Sequence, residues 1–249
     1  MNLQPSVQSL DRALNILEIL SVNEVLTLSD ITEYSGLTKP TVHRLLATLI
    51  KNGYVEKINS GEYRTTLKLF KLGSQRIQKI DFMNITRSFA SQLSLDTNET
   101  VHIVIQDDTE VLYIDKFEAE NALFKTASKI GKTAPLYSTA VGKVLLASYN
   151  NFDIHNMWNN FKLKKFTENT IVDLNEFMKE IEKIRTNGYA IDNEENEYGT
   201  YCIGAAFYNY SKKPVGAISL STSAANPKKD EYINKVLICA NRISGMLGY

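Results

Sequence analysis

The sequence predicts an α+β chain of two units: an N-terminal winged helix-turn-helix, then an antiparallel sheet with flanking helices. Three observations lead there. Residues 27–51 carry two short helical patterns hinged at Gly36. Residues 54–65 alternate apolar and polar on either side of Asn59-Ser60-Gly61, which signals a hairpin. From residue 99 onward, paired strand-like runs are separated and followed by helical ones, as in a helix-flanked antiparallel sheet.

Val7, Leu10, Ala13, Leu14, Leu17 and Leu20 mark a long amphipathic first helix that would complete a three-helix core. In Thr27-Leu28-Ser29-Asp30, Thr27 can accept from a first-turn amide while Asp30 reaches back to the Thr27 amide, a capping box. Leu28, Ile31 and Tyr34 follow at roughly helical spacing, and Ser35-Gly36 supplies the break for a tight interhelical turn. Thr38 then stands at an N-cap, and Pro40 in the first turn removes no helical bond. Val42, Leu45, Leu46, Leu49 and Ile50 form one apolar stripe.

Opposite that stripe lie Thr41, Arg44, Thr48 and Lys51, with His43 beside them and Lys39 at the N-terminal end. Hydroxyls and cations without an acid suit a polyanionic neighbour, base edges and phosphates included. An ordinary solvated face is the competing reading, but surface helices usually mix both signs, and a wing follows at once. Its strands read Tyr54–Ile58 and Glu62–Thr65, with Lys57 and Arg64 flanking the turn, able to touch phosphates or to serve as plain surface charges. The candidate DNA-binding set is therefore Thr38, Lys39, Thr41, His43, Arg44, Thr48, Lys57 and Arg64.

The first unit is expected over 1–72, with Leu67, Leu69, Phe70 and Leu72 still packed, a polar linker over 73–82, and a second unit over 83–249. In that unit, helices are expected at 83–95, 138–148, 154–161, 174–187 and 229–247. Strands are expected at 99–106, 111–117, 123–126, 202–210 and 215–221, the last two separated by Ser211-Lys212-Lys213-Pro214. Such a sheet can cover a pocket on one face.

The chain is neutral overall, but residues 1–80 hold ten Lys and Arg against seven Asp and Glu, a net of +3 that leaves −3 for the rest. Only the N-terminal part has the sign that nucleic acid favours. A hydrophobic fraction of 43% supplies two cores. A polar N-terminus, the lack of a long apolar run and two isolated cysteines point to a cytoplasmic protein with no membrane partner. No cofactor is expected, and three scattered histidines offer no metal-ligand spacing.

Four segments together resemble the IclR family of bacterial transcriptional regulators: residues 6–14; Gly36-Leu37-Thr38-Lys39-Pro40-Thr41-Val42-His43-Arg44-Leu45-Leu46; Pro135 to Ala147 around Gly142-Lys143; and Gly188-Tyr189-Ala190-Ile191-Asp192-Asn193-Glu194-Glu195 leading to Cys202. The resemblance spans essentially the whole chain. It implies a GAF-like second domain that binds a small carboxylate effector (a keto, sugar or aromatic acid) and a homodimer or homotetramer on a pseudo-palindromic operator in double-stranded DNA. It further implies a regulator, a repressor by expectation, of a carbon-catabolism operon. The positions matching the family's ligand contacts are Ala140, Val141, Asp192, Cys202, Ser219 and Ser221. Some keto-acid binders have Gly-Ala where this chain has Ala140-Val141, which narrows the space.

As a carboxylate site these residues are chemically sensible. Ala140 and Val141 open a helix whose free amides favour an anion, and Ser219 and Ser221, two apart on a strand, share a face. Asp192 would accept from a ligand hydroxyl or hold a loop. Leu123 and Ile203 are apolar wall or plain core. The plain alternatives are a small buried hydrophobe for Cys202, solvent-facing strand residues for the serines and a solvated acidic loop around Asp192. Two other functions compete: a DNA-binding protein indifferent to ligands, and a hydrolase with Cys202 as nucleophile and His102 or His155 as base. Nothing in the spacing brings either histidine to the cysteine, so the chain is expected not to be an enzyme and no catalytic residue is assigned.

Overall fold

The computed structural model describes residues 7–58, 61–77, 82–118, 126, 128–226 and 228–249. The chain divides into two compact units, 1–80 and 81–249. Among the described residues, no helix is long and apolar enough to cross a membrane.

The first unit runs α1 (Gln8–Ser21), α2 (Leu28–Ser35), α3 (Lys39–Lys51), β1 (Val55–Lys57), β2 (Tyr63–Thr65) and α4 (Lys68–Ile77). The capping box forms as expected: Asp30 N donates to Thr27 Oγ1 at 3.3 Å and Thr27 N to Asp30 Oδ2 at 2.9 Å. Gly36 ends α2 in the left-handed region, with φ 65°, which permits the sharp turn into α3. The wing is a short antiparallel pair with Glu56 opposite Arg64; Asn59 and Ser60 of the expected turn lie outside the described residues. The core gathers Ile16, Leu20, Ile31, Val42, Leu46, Leu49, Val55 and Tyr63.

Several expected core residues face outward instead. Val7, Leu10, Leu14, Tyr34 and Ile50 are exposed, because each sits at the edge of its stripe or beyond it, and α1 buries only Ile16 and Leu20. Leu67, Leu69, Phe70 and Leu72 are not packed: Leu67 is 82% and Phe70 73% exposed. The helix α4 takes up residues 73–77 of the expected linker, so its apolar positions are carried on a continuing helix rather than folded back on the core.

The second unit runs α5 (Met83–Thr97), β3 (Thr100–Asp107), β4 (Glu110–Phe117), β5 (Thr133–Pro135), α6 (Ala140–Leu146), α7 (Asn151–Trp158), α8 (Leu174–Asn187), β6 (Ala190–Asn193), β7 (Thr200–Tyr208), β8 (Pro214–Ser223) and α9 (Lys229–Met246). Its strands form one sheet in the order β5-β4-β3-β8-β7-β6, all pairs antiparallel. The architecture is the expected α+β one. The strand expected at 123–126 falls outside the described residues except for Thr126, which belongs to no element. Two short edge strands, β5 and β6, were not anticipated. The helix expected at 154–161 begins at Asn151, because the Asn150 side chain caps it by accepting from Asp153 N at 2.9 Å.

Strand alternation sorts the sheet's two faces. Phe207 meets Phe82 beside α5, with ring centroids 5.3 Å apart. Gly204 points the other way, where an added Cβ would stand 2.7 Å from the Ala140 backbone. Only glycine lets α6 lie this close to β7. Gly142 does the same on the helix side, since its Cβ would overlap the Leu136 carbonyl.

Candidate functional site

On the first unit, α3 presents Lys39, His43, Arg44, Thr48 and Lys51 to solvent, with no acid between residues 39 and 51. Thr38 occupies the N-cap position but makes no side-chain cap; its hydroxyl pairs with that of half-buried Thr41 at 2.9 Å. Thr48 turns its proton back to Arg44 O at 3.1 Å, leaving oxygen lone pairs and a methyl outward. In the wing, Lys57 is exposed with Nζ 5.7 Å from the Tyr63 ring centroid, whereas Arg64 Nε donates to Glu56 Oε1 at 2.7 Å. That pair is exposed on both sides, so a phosphate can compete for the guanidinium at small cost.

On the second unit, a cavity of about 380 Å³ opens on the α6 face of the sheet. Pairing register explains its floor. Asp192, Cys202, Ser221 and Thr100 stand directly opposite one another across β6, β7, β8 and β3. The next row is Ala190, Gly204, Ser219, His102 and Lys116. Small and polar side chains in adjacent rows leave room that a row of Val and Ile would fill. Ala140 and Val141, at the start of α6, form the roof, fixed by Thr139, whose hydroxyl accepts from Gly142 N at 3.1 Å and donates to Pro135 O at 2.9 Å.

All six positions named from the sequence, Ala140, Val141, Asp192, Cys202, Ser219 and Ser221, border this one cavity. Asp192 holds a loop: its Oδ1 accepts from Glu195 N at 2.7 Å and Asn196 N at 3.3 Å. Burial pushes its carboxyl up to about 6, against the pull of nearby Lys143. Behind it, Lys143 is fully buried and donates to Ile191 O at 2.5 Å and to Glu195 Oε1, with Glu180 at 3.7 Å. Burial lifts Glu195 to about 7. Thus the Gly-Lys pair has two structural tasks: Gly142 admits the close approach and Lys143 pins the acidic loop beside the cavity.

Cys202 Sγ lies 3.0 Å from Ser221 Oγ, and burial, then the charge of Asp192, raises its thiol well above the ordinary value. It stays protonated, which suits a hydrogen-bonding wall and not a nucleophile. Ile203 is completely buried and does not border the cavity; Leu123 lies outside the described residues.

His102 is the residue that sequence reasoning misplaced: considered only as a base or a structural histidine, it lines the cavity. Its Nε2 is 2.7 Å from Ser128 Oγ and its Nδ1 3.4 Å from Ser219 Oγ. Burial, then the Lys116 charge, lowers its pKa to about 3, so the ring is neutral with one donor and one acceptor nitrogen. The available signal was a lone polar residue in the apolar run Val101–Ile105. Thr200, Asn196, Lys129 and Lys132 also line the cavity, on segments where no periodicity marks them.

The description "IclR helix-turn-helix domain" matches residues 9–58, and "Bacterial transcriptional regulator IclR C-terminal" matches residues 74–245. The chain is 33% identical over 232 residues to the HTH-type transcriptional regulator XynR of Escherichia coli, covering 92% of each chain. It is 31% identical over 249 residues to the DNA-binding transcriptional repressor YiaJ of the same organism, covering 97% of this chain and 88% of that one. The crystal structure of the Thermotoga maritima IclR superposes with a TM-score of 0.82 at 31% identity, covering 97% of this chain and 99% of the other. With a helix-turn-helix at one end, a helix-flanked antiparallel sheet at the other, and matches along nearly its full length, the chain belongs to the IclR family of DNA-binding transcriptional regulators.

Proposed function

We propose that this protein is a cytoplasmic repressor whose hold on its operator is set by a small carboxylate bound in the cavity of the second unit. The observation that carries the reading is convergence: six residues from separate stretches of sequence, matched to the family's ligand contacts, border a single cavity. Exposed Lys129 and Lys132 at its rim favour an anionic guest, and the hydroxyls of Ser219 and Ser221 supply donors inside. A homodimer, or a pair of dimers, seats two α3 helices in successive major grooves of a pseudo-palindrome, with half-sites about one helical turn apart or a multiple of it. Lys39, Thr41, His43, Arg44 and Thr48 face the groove, Thr38 borders it, and Lys57 and Arg64 of the wing approach phosphates. The relative YiaJ is a DNA-binding transcriptional repressor, which supports repression as the output, and the family resemblance supports control of a carbon-catabolism operon.

The test is thermal melting of the full-length protein against keto, sugar and aromatic acids, followed by operator binding with and without the acid that melts highest. An effector at a hundred times its Kd should stabilise by about 2.7 kcal/mol, and the same acid should change operator affinity. A protein that bound DNA tightly but answered to no acid in either assay would be a ligand-independent DNA-binding protein.

A further inference from the structure

Resting on the effector reading above, we infer that an anionic guest enters the cavity together with a proton, taken from solvent and held by the Asp192–Glu195 pair, so that acidity and effector act jointly on this protein. Charge balance is the first reason. Behind the cavity the ammonium of Lys143, fully buried on α6, faces three carboxyls: Glu195 touches it, Glu180 of α8 stands 3.7 Å away, and Asp192 of β6 lies within its field. One of its hydrogens goes to Ile191 O instead, at 2.5 Å. Exposed Lys183 reaches the cluster only at Glu180, at 3.6 Å. Buried charges without full compensation are costly, so the cluster favours holding a proton. Glu195 carries a geometric sign of this. Its Oε2 is buried with no hydrogen-bond partner among the described residues, a position in which a neutral acid costs far less than a carboxylate.

Position is the second reason. Of the three carboxyls Asp192 alone borders the cavity, so a negatively charged guest meets it at close range. Its Oδ1 is committed to the amides of Glu195 and Asn196, at 2.7 and 3.3 Å, so an added proton sits on Oδ2. The same group then changes from an acceptor that repels an anion to a donor that holds one. Its other neighbours do not take this proton. Cys202, directly opposite on β7, and Tyr113 of β4 are neutral already, burial having raised both well above their ordinary values. His102 of β3 is neutral too, and refuses a proton down to about 3. Glu197, Lys129 and Lys132 stand on the exposed rim, where water and salt screen them. Burial has brought Asp192 to about 6 and Glu195 to about 7, and the repulsion of a nearby anion lifts both further. At pH 7.5 the empty pair is largely ionised, so filling the cavity draws a proton in. Because Glu195 N donates to Asp192 and both carboxyls feel Lys143, that proton belongs to the pair.

The experiment is calorimetric titration of the full-length protein with pyruvate, gluconate and 4-hydroxybenzoate, all ionised carboxylates at neutral pH, in phosphate and in Tris, buffers whose ionisation enthalpies differ. The dependence of the measured heat on the buffer counts the protons exchanged. At pH 7.5 the acid that binds should take up at least about half a proton, and its Kd should tighten about tenfold between pH 8 and pH 6.5. Asp192→Asn presents an amide donor at every pH, so at pH 8 it should bind that acid more tightly than the wild type and with a flatter pH profile. A merely structural Asp192 predicts weaker binding throughout. Glu195→Gln, which does not border the cavity, should cut the proton uptake as well and gives a second measure should the asparagine variant not fold. An acid that bound with neither buffer dependence nor pH dependence would overturn the proton linkage and leave the effector reading intact. Silence from keto, sugar and aromatic acids alike would overturn both, and undiminished uptake in both variants would overturn the assignment of the proton to this pair.

Discussion

Asp192 and His102 line the cavity and Glu195 stands behind Asp192 on Lys143; the two carboxyls and the ring respond to acid in opposite senses. Asp192, lifted from 3.8 to about 6, and Glu195, lifted from 4.5 to about 7, keep their protons in the folded chain at pH values where the unfolded chain has lost them. Each contributes stability that is full below its unfolded value and is lost as pH rises through its folded value. His102, lowered from 6.5 to about 3, does the reverse: the unfolded chain takes up a proton below about 6.5 that the buried ring refuses. Between pH 7.5 and 5 the loss at His102 offsets only part of the gain at the two carboxyls. Asp192→Asn removes one carboxylate's gain, so on acidification across that range it should fall behind the wild type by roughly 1 to 2 kcal/mol in urea melts. His102→Gln should move the other way. An Asp192→Asn profile parallel to the wild type would mean that the carboxylate titrates normally. None of this was legible in the sequence, where Asp192 is one acid in an acidic run; its burial depends on the pairing of the short strand β6 with β7 and on Lys143, which is distant along the chain.

At the scale of elements, local signals are legible in the sequence and partnerships are not. The capping box of α2, the Gly36 turn and the wing strands are each set within a few residues, so the chain states them directly. Four of the cavity's six anticipated residues lie on β6, β7 and β8, whose order in the sheet is a tertiary fact; there the family pattern, not periodicity, located them. The edge strands β5 and β6 are too short to show an alternation. Amphipathicity likewise says that a helix face is covered without saying by what. Leu10 and Leu14 of α1, and Leu67 and Phe70 beside and on α4, look like core residues in the sequence and are exposed. Apolar positions held out on helices invite a second copy of the chain. Accordingly, Leu14→Glu with Phe70→Glu should shift the protein toward monomer in sedimentation velocity and weaken operator binding at least about tenfold, with the melting temperature unchanged. Should the double variant sediment as the wild type does, these positions form no contact between copies.

At the scale of the whole molecule, two units with separate cores imply separable activities. Residues 82–249 produced alone should bind the effector with the affinity of the intact chain, and residues 1–80 alone should bind operator more weakly and with no response to it. Titrating each piece with ligand and with DNA checks both halves of that statement. An isolated first unit that bound operator as tightly and cooperatively as the intact chain would show that the second unit adds nothing to DNA binding.

The sheet order carries a consequence for biosynthesis. The strand β3 pairs with β4 at once but also needs β8, whose residues emerge more than a hundred positions later. The first unit, closed by residue 80 and built largely from neighbouring helices, is free to fold while the ribosome is still far from β8. Until residue 223 emerges, the inner edge of β3 stays unpaired, a template for pairing with other chains. A message truncated before β8 would thus yield an already folded DNA reader fused to a sticky half-sheet, so chains cut short there should aggregate.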